Sequence, residues 1–197
     1  MGSTIDQELI LQLQAGSLDA LGLLYDRHRQ MVFRTALGIT GDPEAANDLL
    51  QDVFLRLHRF ADRIEVERPL EPWLYRVTTN LAYTWVKRNR RWYHPLEDLA
   101  EWLAGPGKSS PYDEVERSDD CNRVQKAISN LPFAQRVVVV LYYLNDLSLQ
   151  EVAEILELPV GTVKSRLHYG RQALKKSLAL GRFADGDKLP DFNYERP

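Results

Sequence analysis

Residues 149–178, with the sequence LQEVAEILELPVGTVKSRLHYGRQALKKSL, decide the fold because two helical patterns flank one short break. Apolar residues of the first pattern recur at offsets of zero, three, four and seven, which predicts one buried face of a short helix. Leu158-Pro159 ends this helix, and a second helix opens at Gly161-Thr162. The inward positions are Leu149, Val152, Ala153 and Leu156, then Val163, Leu167, Leu174 and Leu178. Two helices joined by a short turn form the helix-turn-helix, whose second helix enters the major groove of DNA.

The outward face of the second helix carries basic and hydroxyl side chains, the types that contact DNA. Lysine and arginine neutralise phosphates or bind guanine edges, and serine and threonine hydrogen-bond to phosphates and bases. Unpaired N–H groups near Thr162 add a further phosphate contact. Any exposed helix face can carry such residues, so this face alone leaves a purely structural hairpin open. The predicted DNA-binding residues are Thr162, Lys164, Ser165, Arg166, His168, Tyr169 and Arg171.

Upstream, residues 17–91 also follow helical spacing. The pattern is interrupted at Gly41-Asp42-Pro43, where aspartate is a good N-cap and proline suits the first helical position. We therefore expect a helix from Glu44 to about Arg59, whose apolar residues lie on one side.

Two further stretches are assigned from composition. Residues 65–72 contain charges and two prolines and predict a loop, followed by a long helix from Trp73 to Trp92. The run Val137–Val140 taken alone favours a buried strand as much as a helix, because its side chains are β-branched. Its helical flanks and the lack of a second strand to pair with it favour a helix.

Charge is segregated along the chain, although the formal net charge is only −3. Phosphate contacts depend on local basic patches more than on net charge, so this total does not exclude DNA binding. Two basic blocks flank an acidic segment, which suits two DNA contacts, although a solvated face explains either block alone equally well. The blocks are Lys87, Arg88, Arg90 and Arg91, and then Lys164, Arg166, Arg171, Lys175 and Lys176.

Short motifs lie in both halves of the chain and together cover most of residues 17–178. They are residues 48–57, Trp73-Leu74-Tyr75-Arg76-Val77, Asn80-Leu81-Ala82, Leu131-Pro132, Gln135-Arg136, Leu147-Ser148, residues 151–156 and residues 159–168. These motifs closely resemble those of extracytoplasmic-function sigma factors, the promoter-specificity subunits of bacterial RNA polymerase. Thr84 and Tyr142 depart from the family pattern, because many members have an acidic residue and an arginine there.

The resemblance implies a role for each helical face. The C-terminal domain is expected to bind the −35 promoter element, with residues 161–166 opening the recognition helix. The helix from Glu44 to Arg59 is expected to dock on core RNA polymerase. The residues implied in that docking are Asp48, Leu49, Gln51, Asp52, Phe54 and Arg56.

The helix that begins at Trp73 is implied in recognition and melting of the −10 element. Trapping unstacked bases requires flat surfaces and cations along the backbone, for which Tyr83, Trp92 and Tyr93 beside the arginines are candidates. Packing in the core remains the alternative for Tyr83 and Trp92. The loop of residues 60–70 is implied to form the pocket for a flipped base. The residues implied on the helix are Arg76, Asn80, Tyr83, Lys87, Arg88 and Arg91.

We therefore predict an all-α chain of two small helical domains joined by a flexible acidic linker. The predicted boundaries are residues 1–94 for the polymerase and −10 domain, 95–119 for the linker, 120–180 for the helix-turn-helix domain and 181–197 for the tail. By resemblance the linker threads the RNA exit channel of the polymerase. A plain flexible tether remains the alternative.

No enzymatic motif is recognisable. The sequence lacks a phosphate-binding glycine loop, metal-ligand spacing of cysteine or histidine, and a nucleophile elbow, so we expect no catalysis, no metal, no cofactor and no small-molecule substrate. The one cysteine, Cys121, cannot form an internal disulfide, and no apolar run approaches the length of a membrane span. We therefore expect a cytoplasmic protein without membrane insertion.

The expected partners are core RNA polymerase and promoter DNA, and the family resemblance implies an anti-sigma factor. Two other functions stay open. A sigma-like protein that only sequesters a regulator would lose the basic recognition positions, yet Lys164 and Arg166 are present. A free-standing helix-turn-helix repressor would require a dimerisation element, and none is evident.

Overall fold

The computed structural model describes residues 4–89 and 123–182, and every regular element in these two stretches is helical. The N-terminal half contains α1 (Thr4–Gln14), α2 (Leu18–Thr40), α3 (Pro43–Arg59), a 3-10 turn (Ala61–Arg63) and α4 (Leu70–Arg88). The C-terminal half contains α5 (residues 123–129), α6 (Phe133–Val139), α7 (Leu149–Leu156) and α8 (Val160–Arg182). The prediction of an all-α fold is confirmed. The predicted linker, the end of the tail, Arg91, Trp92 and Cys121 lie outside the described residues.

The break between α2 and α3 has the predicted chemistry. Gly41 ends α2 in the left-handed region at φ 72°, where a side chain would be strained, and its N–H bonds to the Leu37 carbonyl. The Asp42 carboxylate then accepts a hydrogen bond from the Ala45 N–H at 3.0 Å, and Pro43 is the first residue of α3. Local capping therefore fixes the α2–α3 turn.

The start and end of α4 differ from the prediction. The helix begins at Leu70, so Pro72 lies in its first turn rather than in a loop. This placement is allowed because N–H groups of the first turn have no partner within the helix and proline has none to lose. The helix ends at Arg88 and not at Trp92, with Asn89 following it.

The four consecutive valines are helical and buried, as predicted. α6 covers the first three, and a five-residue π-helical turn, Val140–Leu144, continues from it. The π-helical turn was not predicted from the sequence. Helical packing therefore overrides the strand preference of β-branched residues here.

The N-terminal half has its own core, in which α1 packs against α2 and α3 against α4. Tyr25 and Phe54 pack edge to face with ring centroids 4.9 Å apart. The buried Asp6 carboxylate joins α1 to α2 through Arg27 at 2.7 Å and His28 at 3.1 Å. The largest fully buried side chains of this core are Ile10, Leu24, Leu57, Leu70, Leu74, Val32 and Val53.

A second core contains residues of both halves. Leu37, Ile39 and Ala82 belong to the same buried cluster as the valine run and Leu141. The buried Arg136 side chain donates to the Ile39 carbonyl of α2 and to the Ser129 and Leu131 carbonyls of its own half. The two halves are therefore packed against each other.

No helix in the described part of the chain is both long and apolar enough to cross a lipid bilayer.

Candidate nucleic-acid interface

The helix-turn-helix begins with a reciprocal cap on α7. The Ser148 hydroxyl accepts from the Glu151 N–H at 3.2 Å, and the Glu151 carboxylate accepts from the Ser148 N–H at 2.7 Å. Hydrogen bonding of the Glu151 carboxylate to the Ser148 side chain, and to a lesser extent to the Ser148 backbone, lowers the pKa of Glu151. This capping box fixes the start of the first helix of the motif.

The second helix, α8, packs closely against α6. Val163 and Leu167 are buried, and a Cβ on Gly170 would lie 2.8 Å from a methyl group of Val139. A larger residue at position 170 would therefore push α8 off α6. Since one side of α8 is buried, its opposite side is fixed toward solvent.

That solvent side carries the predicted DNA-binding residues. Lys164, Ser165, His168, Tyr169 and Arg171 are exposed, whereas Thr162 and Arg166 are partly exposed. The Ser165 hydroxyl donates to the Thr162 carbonyl within the helix, and His168 pairs with Gln172. The structure thus places all seven residues on the accessible part of one helix, as the motif predicts.

Two tyrosines outside the motif position Arg171. Its Nε donates to the Tyr143 hydroxyl at 2.6 Å, and its guanidinium lies 5.6 Å and 5.5 Å from the Tyr142 and Tyr143 ring centroids. Cation–π contacts of this kind orient a guanidinium at the surface. This contact could not be predicted from the sequence, because the tyrosines lie 28 residues or more before Arg171 and share no motif with it.

The −10 face predicted on α4 is also exposed. Arg76, Asn80, Tyr83 and Lys87 recur with helical spacing along one side, followed by Arg88. Arg91 lies outside the described residues. Two of these side chains, Arg76 and Tyr83, contact Glu157 and Phe133 of the C-terminal half.

The prediction for α3 requires a correction. Leu49 and Phe54 are each only 5% exposed, so they belong to the interior and cannot form a docking surface. The substitution Leu49→Asp would therefore destabilise the fold and would not report on polymerase binding. Leu55 is 64% exposed and was missed. It lies among the exposed residues Asp48, Gln51, Asp52 and Arg56.

Among the described residues, one group has side chains close enough to suggest a metal site. Ligand atoms of Asp6, His28 and Glu71 lie within 4.8 Å of one another. The Asp6 carboxylate, however, already accepts from Arg27 and contacts His28. A guanidinium at this distance disfavours a second cation, so we assign the group to helix packing.

Comparison with known proteins gives one consistent family. The Sigma-70 region 2 model matches residues 24–92, and the Sigma-70 region 4 model matches residues 121–174. The chain is 33% identical over 177 residues to the ECF RNA polymerase sigma factor SigW of Bacillus subtilis, covering 86% of this chain and 94% of that protein. It is 32% identical over 156 residues to SigL of Mycobacterium tuberculosis, covering 79% and 86% of the two chains.

Solved structures agree with this comparison. The chain resembles CnrH in complex with the cytosolic domain of CnrY, with a TM-score of 0.64, 25% identity, and coverage of 89% and 98% of the two chains. It shares its fold with the sigma factor RpoE of Bartonella quintana in complex with the anti-sigma factor NepR. That likeness has a TM-score of 0.57 and 23% identity, and covers 78% of this chain and 94% of RpoE.

Proposed function

Because this chain belongs to the ECF family of RNA polymerase sigma factors, we propose that α8 and α4 recognise two elements of one promoter while α3 docks on core polymerase. As a sigma factor the chain directs promoter-specific transcription initiation through RNA polymerase. The proposal assigns this activity to particular faces of the molecule. The proposal keeps the predicted boundaries, which are residues 1–94 for the polymerase and −10 domain, 95–119 for the linker, 120–180 for the helix-turn-helix domain and 181–197 for the tail.

The observation that carries the proposal is the accessible face of α8. Its first turn follows a capped helix and a short turn, the arrangement in which the second helix enters the major groove N-terminus first. Lys164 and Arg166 near that end reach phosphates or guanine edges of the −35 element. Arg171, oriented by Tyr142 and Tyr143, lies nearly two turns further along and is placed for a backbone contact.

For the −10 element we propose the outer face of α4. An unstacked base can stack on the Tyr83 ring, and Lys87 and Arg88 neutralise the phosphates of the strand beside it. Asn80 adds a donor and an acceptor for a base edge. This combination suits single-stranded DNA, which has to be held after the duplex opens.

For core polymerase we propose the outer face of α3 with Leu55 as its apolar anchor. An exposed leucine ringed by Asp48, Asp52 and Arg56 has the composition of a docking site, in which a few apolar contacts are surrounded by charges. Leu55 thus takes the role first given to Leu49 and Phe54.

Further roles follow from family membership. Sigma factors are DNA-binding regulators rather than enzymes, and we propose that this chain catalyses no reaction itself. We place it in the cytoplasm, where bacterial RNA polymerase and the chromosome are found. The related RpoE structure is a complex with the anti-sigma factor NepR, and we propose an anti-sigma factor as the partner that holds this chain inactive.

An assembly experiment tests the proposal. Core polymerase from the same organism and a labelled promoter duplex are mixed with and without the chain, and binding is followed by fluorescence anisotropy. We expect a heparin-resistant complex only when all three components are present. Binding of the duplex by the chain alone with equal affinity would support a free-standing repressor, and a chain that binds neither core nor duplex would support a sequestering protein.

A further inference from the structure

The side chain of Gln14, at the end of α1, reaches the turn that follows α3. Its amide nitrogen Nε2 donates to the Ala61 carbonyl at 3.0 Å and to the Ile64 carbonyl at 3.1 Å. These acceptors lie 47 and 50 positions further along the chain, on the first residue of the 3-10 turn and on the residue that follows its end. A side-chain amide has two N–H groups, and both are used here. Gln14 therefore holds the two ends of one turn.

The turn has few bonds of its own. Within it, the Arg63 N–H bonds to the Phe60 carbonyl at 2.9 Å and the Ile64 N–H to the Ala61 carbonyl at 3.0 Å. Hydrogen bonds of 3-10 geometry are poorer than those of an α-helix. The chain leaves the turn extended, with Ile64 at φ −84° and ψ 123°. The Ile64 carbonyl belongs to the peptide that leads into residues 65–69, so a bond to it helps to fix the direction in which they continue.

The helix that carries Gln14 is anchored to its neighbours along its length. Leu9, Ile10 and Leu13 are buried in the core of the N-terminal half. Near the start of α1, the buried Asp6 carboxylate accepts a hydrogen bond from Arg27 of α2 at 2.7 Å. The position of Gln14 is therefore set by α1 and α2, independently of the loop that it contacts.

Residues 65–69 lead directly into α4, and the loop carries groups that can contact a base. Arg68 and Glu65 are exposed, with 76% and 63% of their side chains accessible, and they pair at 2.7 Å. At the turn, the exposed Arg63 guanidinium lies 5.4 Å from the centroid of the Phe60 ring. A flat guanidinium can stack on a base, and a glutamate can accept from the amino group of cytosine. The course of the loop thus decides where these groups lie relative to the outer face of α4.

We propose that Gln14 is a positioning residue for the −10 element. By holding Ala61 and Ile64 it sets the course of residues 65–69, and through them the base that the loop accepts from the opened strand. The inference rests on the proposed function of α4 and on the base pocket predicted in residues 60–70, and it adds the residue that shapes this pocket. Gln14 acts through the loop and makes no contact with DNA itself.

Two carbonyl acceptors restrict which side chains can replace glutamine at position 14. Glutamate has nearly the same size but, when ionised, has no hydrogen to donate, so its oxygens would repel both carbonyl oxygens. Methionine is of similar length and neither donates nor carries a charge. Lysine has three N–H groups and can donate to both carbonyls. Gln14→Lys should therefore keep the turn in place, Gln14→Met should loosen it, and Gln14→Glu should loosen it most.

Hydrogen exchange of the free chain tests whether Gln14 holds the turn. The loss of one neutral hydrogen bond changes a local equilibrium about fivefold. We expect the Ile64 N–H to exchange about fivefold faster in Gln14→Met, at least about tenfold faster in Gln14→Glu, and as in wild type in Gln14→Lys. Exchange at the buried Val53 of α3 should be unchanged in all variants, which checks that the fold is intact.

Gln12→Glu is the matched control for Gln14→Glu. Gln12 is exposed in the same last turn of α1, so the substitution adds the same charge at the same end of the helix. We expect Ile64 to exchange in this variant as it does in wild type. Equal exchange at Ile64 in Gln14→Glu and Gln12→Glu would overturn the hold on the turn, and so would wild-type exchange in Gln14→Met.

The functional arm uses the reconstituted holoenzyme and a promoter taken from a mapped start site, with the bases of its −10 element randomised. Heparin-resistant complexes are isolated and their DNA is sequenced. We expect Gln14→Glu to lose about tenfold of the base preference at one or two −10 positions, in line with the loosened turn. Its −35 preference and its Kd for core polymerase should be those of wild type. Gln14→Lys and Gln12→Glu should select the same −10 bases as wild type.

The outcomes separate positioning from a general effect on folding. A residue that only stabilised the fold would change the yield of complexes for every sequence alike, and that result would overturn the proposal. Base preferences of Gln14→Glu identical to those of wild type would overturn it as well. If the wild-type holoenzyme selects no −10 sequence, the proposed function of α4 fails and the positioning role fails with it, whereas hydrogen exchange still decides whether Gln14 holds the turn.

Discussion

Substituting both Lys164 and Arg166 by alanine is expected to weaken binding of the reconstituted polymerase to a promoter duplex by about 100-fold at physiological salt. Each residue lies near the N-terminus of α8, where a recognition helix is closest to base edges, and each lost contact costs about 1–3 kcal/mol. Fluorescence anisotropy against a labelled promoter measures the loss. The slope of the logarithm of the binding constant against the logarithm of the salt concentration should decrease in magnitude by about 0.9 for each phosphate contact removed.

Lys175→Ala with Lys176→Ala provides the matched control. It removes the same number of charges from the same helix, two to three turns further from the end that enters the groove. We expect this double variant to bind promoter within about tenfold of wild type, since distant exposed charges contribute mainly screened attraction. Equal losses from both double variants would mean that general basic charge, and not the start of α8, holds the promoter.

Leu55→Asp is expected to weaken binding to core polymerase by about 30-fold, the loss of one central apolar contact of about 2 kcal/mol. The side chain is 64% exposed in the free chain, so the substitution leaves the core of the N-terminal half intact. Titration of fluorescently labelled chain with core polymerase gives the Kd. Circular dichroism and thermal unfolding should remain those of wild type.

Leu11→Asp serves as the control for Leu55→Asp. Leu11 is also exposed, at 54%, but it lies on α1, outside the charged face of α3. We expect it to bind core polymerase as wild type does. The docking assignment would be wrong if Leu55→Asp bound core polymerase as tightly as Leu11→Asp.

Local sequence chemistry accounts for much of the fold. The Gly41-Asp42-Pro43 break and the spacing of apolar residues in α7 and α8 each act within a few residues, so they can be recognised without knowing what packs against them. The accessible face of α8 follows from that spacing, because once one side is buried the opposite side has to face solvent. The outward position of all seven predicted −35 residues could therefore be anticipated.

Contacts between distant segments could not be anticipated in the same way. Arg76 and Glu157 are separated by 81 positions, and no local pattern of charge or hydrophobicity shows that their helices meet. The error at Leu49 and Phe54 has a different cause. At about 100° per residue both lie on the apolar side of α3, and Leu55 lies on the opposite side. The two residues were assigned to docking from the family resemblance, which identifies the docking helix but does not distinguish its buried side chains from its exposed ones.

The measurement that tests the central claim most directly is transcription of sheared genomic DNA by core polymerase from the same organism, with the 5′ ends of the transcripts mapped. We predict start sites that appear only when this chain is added and that share two upstream sequence elements at constant spacing. The same start sites should weaken together in the Lys164→Ala, Arg166→Ala chain. A set of start sites identical with and without the chain would contradict the account.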